Sequence, residues 1–294
     1  MDFDTWMAEA WNRHAEAPAA VLADIAGTGA ALATDDAAVG RLLHLAHHVA
    51  GAHPPAAADR AAGRALLARL ATLPSAGDTA RASAALYDRA LALTGGDASV
   101  SAGLPPAQAV RVAALAAANL AEHEPARAGA LLEQAVATAQ AHPLPDTDPA
   151  VRALAVAGNN IASALHELPA RDATTTSLML RAAGVGLVFW RRAGTWLEEE
   201  RAHHRLAVCA AAAGDAALAR EHAQACAAIV AREGDVALEA FFAHEAAALA
   251  EAAAGDSTAR AQAVARARAA FERLDADDQA WCRATLLELG APLP

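Results

Sequence analysis

Leu206-Ala-Val-Cys-Ala-Ala-Ala-Ala-Gly-Asp215 is a helix-forming run that ends in a Gly-Asp turn, and this turn recurs as Ala254-Gly255-Asp256. The two turns are 41 residues apart. The segments around them, 206–242 and 247–274, have the pattern of one helical hairpin that occurs twice. Self-similarity at a spacing of about 20–50 residues is typical of stacked supersecondary units. The sequence therefore predicts a repeat protein built from antiparallel helix pairs.

A second pair of segments shows the same spacing. Ala109-Val-Arg111 followed by Asn119 returns 41 residues later as Ala150-Val-Arg152 followed by Asn160. The repeat is therefore predicted to extend toward the middle of the chain. A long continuous coiled coil is disfavoured, because no heptad of large apolar residues is sustained.

Glycine, proline and aspartate mark the breaks between the predicted helices. The breaks predict helices over 3–16, 19–33, 36–50, 56–72, 78–94, 107–122, 125–141, 150–167, 172–193, 196–213, 216–232, 236–253, 257–274 and 277–289. The glycine-rich and proline-containing stretch 94–106 is the best candidate boundary. It predicts N-terminal helical hairpins over 1–96 and helical repeats over 105–294, the last helix being a polar cap.

Several helix starts have the residue types that cap helices. Thr195, Asp215 and Asp235 stand directly before predicted helices, where their side chains can accept hydrogen bonds from unpaired backbone N–H groups. Asp148-Pro149 adds a proline at a first helical position. The acidic segment that begins at Asp275 is best explained as a turn and cap.

The amino-acid composition favours one fold class and one cellular location. About a third of the 294 residues are alanine and only 4% are aromatic, which favours an all-α chain over a β-sandwich or barrel. Every basic residue is arginine, as in GC-rich bacterial genomes. Three scattered cysteines form no disulfide framework, and the acidic start Met1–Trp6 lacks the features of a signal peptide. We expect a cytoplasmic protein.

The net charge of −11 and the isoelectric point near 5.5 argue against a nucleic-acid binder, which would need a basic stripe. The same charge disfavours anionic membrane surfaces, and no apolar run is long enough to span a bilayer. No glycine-rich phosphate loop and no Gly-x-Ser-x-Gly motif occurs, so the sequence predicts no catalytic residue and no cofactor.

The hairpin at 203–231 has small residues where its two helices would cross, a Gly-Asp turn, and small residues again: Leu206-Ala207, Gly214-Asp215, Ala219, Ala223 and Cys226. A second hairpin at 112–135 is similar, with Ala116, Ala128, Leu132 and Ala135. This order resembles the tetratricopeptide repeat over 107–274, although the period is about 41 residues and not 34. The resemblance implies a right-handed α-α superhelix with a concave groove lined by the first helix of each pair.

Residues 189–205 form the densest polar and aromatic stretch. Arginine and tryptophan are the residue types that dominate binding interfaces. We expect a partner-binding surface at Trp190, Arg191, Trp196, Arg201, His204 and Glu239. The alternative is an exposed helix face with ion pairs one turn apart, such as Glu200 with His204.

Two groups of histidines are candidate metal ligands. His44, His47 and His48 lie on one predicted helix with His53 beyond, and imidazoles one turn apart can share a metal ion. Glu200 and His203 form a Glu-x-x-His element, and His244 is the repeat equivalent of His203. Ordinary packing of these side chains is the simpler interpretation of both groups.

The sequence thus favours a non-catalytic scaffold whose groove binds a protein or peptide. Two alternatives remain open. One is a helical metal-binding protein or enzyme that uses inward-facing His, Glu and Asp. The other is a small-molecule sensor with a pocket inside the superhelix.

Overall fold

The computed structural model describes residues 1–53, 57–234 and 236–290. These residues form α-helices and loops and contain no β-strand, which confirms the all-α fold class. The α-helices are α1 Phe3–Arg13, α2 Pro18–Asp24, α3 Ala30–Leu32, α4 Asp36–Ala52, α5 Ala57–Leu70, α6 Asp78–Thr94, α7 Pro106–Leu120, α8 Pro125–Ala141, α9 Pro149–Glu167, α10 Ala173–Ala193, α11 Trp196–Ala212, α12 Ala216–Glu233, α13 Ala237–Ala253, α14 Ser257–Phe271 and α15 Ala276–Glu288.

The chain divides into two compact units, Met1–Leu154 and Ala155–Pro294. The candidate boundary at 94–106 lies inside the first unit, where a 3₁₀ turn occupies Ala98–Ser101. The division into 1–96 and 105–294 stays a prediction.

In the second unit the consecutive helices from α10 to α15 pack on one another. α11 packs on α12 and on α13, α12 packs on α13, and α13 packs on α14. Alanines fill the centre of this arrangement: Ala207, Ala210, Ala219, Ala223, Ala246 and Ala250. Side chains this small let the helix axes come close together. The chain is therefore a helical repeat-like protein whose consecutive helices pack on one another.

The two Gly-Asp turns have the same backbone structure. Gly214 and Gly255 have φ values of 80° and 73°, in the left-handed region that glycine adopts without a steric cost. In each turn the glycine N–H and the following aspartate N–H donate to carbonyls of the preceding helix, to Ala211 and Ala210 in the first turn and to Ala252 and Glu251 in the second. This is the Schellman termination. The repeated Gly-Asp sequence thus ends two different helices in the same way.

The predicted caps are present where the structure describes them. Thr195 and Glu198 form a reciprocal capping box at the start of α11, and Asp215 accepts a hydrogen bond from Leu218 N. Asp148 accepts one from Ala150 N beside Pro149. Asp235, the other predicted cap, lies outside the described residues.

In the first unit α4 packs on α5, α6 and α7. The Asp36 carboxylate, at the start of α4, accepts hydrogen bonds from Gly77 N at 2.6 Å and Ala80 N at 3.0 Å. A Cβ on Gly77 would lie 2.8 Å from Asp36 Cγ, so a larger residue there would displace the carboxylate. The first turn of α6 is thus capped by a residue that lies 41 positions earlier.

The predicted helix 19–33 is interrupted by a π-helical turn at Ile25–Gly29. The turn ends where the buried ring of Trp6 packs directly on Gly29. A Cβ at this glycine would lie 2.5 Å from the ring. The bulge therefore coincides with a close approach between α1 and the second helical segment.

Glycine also permits a backbone contact in the second unit. A Cβ on Gly158 of α9 would lie 2.5 Å from the backbone nitrogen of Gly186 on α10. Only glycine at this position lets the two helices cross at such a short distance.

None of the helices in the described part of the chain has both the length and the apolar character that crossing a bilayer requires.

Candidate functional site

Three of the six residues expected at the partner surface lie together on α11 and α13. Arg201 Nη2 donates to Glu239 Oε1 at 2.7 Å, and His204 Nε2 lies 3.0 Å from Glu245 Oε2. Glu239 is buried, whereas Arg201 remains exposed. Both contacts join α11 to α13, and the charges of Arg201 and Glu239 neutralise each other, which leaves less charge for a partner.

The other three lie near the junction of α10 and α11. Trp190 is buried and Trp196 is half-buried. Arg191 Nε donates to Glu199 Oε1 at 2.9 Å, and Arg191 Nη2 lies 3.0 Å from His203 Nε2. Trp190 therefore contributes mainly to the core.

His203 belongs to a buried imidazole pair. His203 Nδ1 and His222 Nδ1 are 2.8 Å apart. Burial, together with His222 and the Arg191 guanidinium, lowers the pKa of His203 to about 4. Because Arg191 can only donate, it donates to His203 Nε2, and the remaining proton of His203 sits on Nδ1 and donates to His222. Each of these nitrogens has a partner.

Glu200, expected on an exposed face, is only 1% exposed. Its carbonyl oxygen accepts a hydrogen bond from Cys226 Sγ at 3.5 Å, and its side-chain Oε1 has no hydrogen-bond partner among the described residues. Burial raises the pKa of Glu200 to about 7. His244 is half-buried on α13, and Glu200, His203 and His244 are not part of any group of three potential metal ligands in the part of the chain that is described.

A row of aromatic rings crosses three helices of the second unit. The His204 ring on α11 lies 5.4 Å from the Phe242 ring on α13, and Phe242 lies 5.3 Å from Trp281 on α15, both in edge-to-face geometry. Trp281 is 64% exposed. Phe242 and Trp281 were not among the residues predicted for the partner surface, although a tryptophan on a helix that carries several charged residues was an available signal.

In the first unit His44 and His47 contact aromatic and amide side chains. His47 is buried, stacks on Tyr87 at 4.7 Å, and its Nε2 lies 3.3 Å from Asn119 Nδ2. His44 Nδ1 lies 3.4 Å from the Tyr87 hydroxyl. Asn119 also donates to Thr94 Oγ1 at 3.1 Å. These contacts give His47 a structural role in the packing of α4 against α6 and α7.

His48 and His53 instead converge with His14, which lies at the carboxyl end of α1. His48 Nε2 lies 3.0 Å from His14 Nε2 and 3.3 Å from His53 Nε2. We call these three residues the histidine trio; its three donor atoms lie within 4.8 Å of one another, and all three side chains are half-buried. Sequence reasoning found His48 and His53 but not His14.

Trp11 supports the trio. Its ring lies 5.1 Å from the His14 ring and 5.2 Å from the His48 ring. The Trp11 carbonyl lies within hydrogen-bond distance of His14 Nδ1. Since a carbonyl only accepts, the proton of a neutral His14 is on Nδ1, and Nε2 carries a lone pair that faces His48.

A cleft of about 800 Å³ borders Trp11 and is lined by apolar and polar side chains, among them Met7, Asp36 and His44. Asp4 and Arg41, which form an ion pair at 2.5 Å, also line it. A small-molecule pocket inside a superhelix stays a prediction.

Comparison of the chain with protein-family models, with curated proteins and with solved structures gives no match. Assignments of function therefore rest on the geometry of the described residues.

Proposed function

We propose that the chain is a tetratricopeptide-like scaffold and that the second unit binds a peptide segment containing arginine or lysine next to apolar side chains. The observation that carries this proposal is the aromatic row that ends in exposed Trp281. The docking surface comprises His204, Phe242, Trp281 and Asp277.

The packing order supports the scaffold. In tetratricopeptide arrays the first helix of a pair packs on its partner and on the first helix of the next pair, and α11 packs on α12 and α13 in this way. His204 and Glu245, which meet at 3.0 Å, are 41 residues apart. The sequence period therefore equals the spacing between contacting positions on consecutive first helices.

The chemistry of Trp281 supports a cationic partner. An exposed indole attracts a guanidinium or ammonium group over its face. Asp277 is exposed one helical turn before Trp281, so a cation above the ring would also lie near a carboxylate. The rings of Phe242 and His204 extend the docking surface. An apolar side chain next to the basic residue of the peptide would pack on them.

Side-chain contacts between α11 and α13 give the surface rigidity. The Arg201–Glu239 ion pair and the His204–Glu245 contact each join α11 to α13, the helix that carries Phe242. A surface whose helices are already fixed loses less conformational entropy when a peptide binds.

Binding of the purified chain to arrays of short peptides tests this proposal. One array combines arginine or lysine with leucine and phenylalanine; the second array replaces each basic residue with glutamate. We expect binding to the basic array alone. Trp281→Ala should weaken it by about tenfold or more, as expected for a tryptophan at the centre of an interface.

Val188→Ala is the matched control, because Val188 is an exposed apolar residue on α10 of the same unit, 55% exposed. It should leave binding unchanged. Asp277→Arg should weaken binding to the basic array and allow some binding to the acidic one. Equal binding by the wild type and Trp281→Ala, or no binding to either array, would overturn the proposal.

A further inference from the structure

The histidine trio brings three nitrogen donors from two helices to one point. His48 lies in the last turns of α4, His53 directly follows that helix, and His14 directly follows α1. The carboxyl ends of α1 and α4 thus meet here. Helix carboxyl ends carry partial negative charge, which favours a cation at this position.

The distances suit shared ligation. Two imidazole nitrogens bound to one tetrahedral zinc ion at 2.0–2.1 Å are about 3.3 Å apart. Two of the three distances in the trio match this value, since His48 Nε2 lies 3.0 Å from His14 Nε2 and 3.3 Å from His53 Nε2. The donor atoms of His14 and His53 lie within 4.8 Å of each other, so binding requires these two rings to move closer together.

In a neutral trio, His48 Nε2 cannot form a conventional hydrogen bond in both of its close contacts. In a neutral His14 ring, Nε2 carries no proton, because Nδ1 donates to the Trp11 carbonyl. His48 Nε2 faces both His14 Nε2 and His53 Nε2, and one proton on it cannot serve two acceptors. A metal ion bound to three lone pairs satisfies all three nitrogens at once.

The hydrogen bond of His14 to Trp11 also matches the usual environment of metal-bound histidines. Such histidines almost always donate their other ring N–H to a backbone carbonyl or a carboxylate, which fixes the orientation of the ring. His14 has this partner in its own helix.

The protonation state of the His48 and His53 imidazoles also suits metal binding. Burial, together with the neighbouring His53 and His14, lowers the pKa of His48 to about 3. Burial likewise lowers the pKa of His53, with His14 and His123 contributing. Both imidazoles are therefore neutral at pH 7, which is the form that binds metals.

We propose that His14, His48 and His53 bind one divalent transition-metal ion through their Nε2 atoms, with a fourth position open to solvent. Three imidazoles without a carboxylate favour zinc, cobalt, nickel or copper over magnesium and calcium, which prefer oxygen ligands. The site is independent of the peptide surface, because the two proposals use different residues in different units.

Titration of the full, untagged chain with Co²⁺ after dialysis against a chelator tests the site. Absence of a histidine tag matters because a tag would bind the ion itself. We expect one equivalent per chain, visible ligand-field absorption, quenching of Trp11 emission, and displacement by Zn²⁺. Because the loss of supporting residues alone weakens metal sites by about 10–100-fold, removal of a ligand in His48→Ala should weaken binding by about 100-fold or more.

His44→Ala is the matched control, since His44 lies one turn before His48 on the same helix, outside the trio. It should retain stoichiometric binding. Far-UV circular dichroism checks each fold, and His53→Ala, at the end of α4, replaces His48→Ala if that variant unfolds. Absence of saturable binding by the wild type, or unchanged binding by the folded variants of the trio, would overturn the proposal.

Discussion

The helix-to-helix pairs of the second unit and the histidine trio of the first unit bring polar side chains together in different ways. In the second unit, unlike groups meet: Arg201 with Glu239, Arg220 with Glu251, and Arg191 with both Glu199 and His203. In the first unit the histidine trio brings like groups together, with no carboxylate among them. Groups that satisfy one another hold helices together, whereas convergent groups that lack a common partner form a site for a ligand.

The His203–His222 pair sharpens this contrast, because it also consists of neighbouring imidazoles. The Nδ1 atoms of the two rings are 2.8 Å apart, and the Arg191 guanidinium lies 3.0 Å from Nε2 of His203. A positive charge at that place repels a metal ion. Proximity of histidines alone therefore does not define a metal site. The nitrogen lone pairs must also be free of a competing cationic donor such as the Arg191 guanidinium.

The largest expected effect is stabilisation of the protein by Zn²⁺, which should depend on the histidine trio and not on the His203–His222 pair. At free Zn²⁺ of 100 times Kd, binding should stabilise the first unit by about 2.7 kcal/mol and raise its melting temperature by several degrees. His48→Ala should abolish this increase, whereas His203→Ala should retain it. Thermal melts followed by circular dichroism, with and without Zn²⁺, measure the difference; loss of the increase in both variants would contradict the contrast.

The second prediction removes one member of an ion pair. Arg201→Ala leaves the Glu239 carboxylate buried without its 2.7 Å partner. The free energy of unfolding should fall by about 1–3 kcal/mol in urea. Arg232→Ala is the control, because Arg232 pairs with its sequence neighbour Glu233 and is 62% exposed. Its effect should stay within about 0.5 kcal/mol, and equal effects of the two variants would show that Glu239 does not need Arg201.

The third prediction concerns pH. The pKa values of His47 and His48 are lowered to about 3 and that of His203 to about 4, below the ordinary value of 6.5 of an unfolded chain. Between pH 6.5 and these values the unfolded state binds more protons, so stability should fall as the pH falls through this window. Urea unfolding at pH 7 and pH 5 measures the loss. His48→Gln should reduce the pH dependence of the first unit and His203→Gln that of the second; unchanged slopes would refute the assignment.

The smallest effect is expected for Trp281→Ala. An exposed side chain adds little to the core, so the free energy of unfolding should change by no more than about 0.5 kcal/mol. The emission maximum should move to shorter wavelength, because the four remaining tryptophans are buried or half-buried. Fluorescence and urea unfolding measure both quantities, and a large loss of stability would give Trp281 a structural role.

Local features of the fold could be predicted from the sequence because their causes lie within a few residues. The Gly-Asp turns at Gly214 and Gly255 need a left-handed glycine, and Thr195 and Asp215 cap the helices that follow them. The same rules gave helix limits close to the observed ones over most of the chain. The π-helical turn at Ile25–Gly29 could not be predicted, since it coincides with the approach of Trp6.

The candidate sites depend on distant contacts, and the sequence revealed only parts of them. His14 is 34 residues from His48, and no periodic pattern links α1 to α4. Spacing along one helix favoured His44, His47 and His48 as a set, but the ring of His47 turns toward Tyr87 and Asn119. The burial of Glu200 was also unexpected, because a run of charged residues does not indicate which member faces the neighbouring helix.

The cap that Asp36 provides for α6 has a consequence for the order of folding. The residue directly before α6 is Gly77, which has no side chain to serve its first turn, so that turn relies on a carboxylate at the start of α4. Until α4 docks, water alone can satisfy these N–H groups. The first unit therefore links the stability of one helix to the placement of another, because the first turn of α6 gains this cap, with a contribution of about 1 kcal/mol, once α4 has docked.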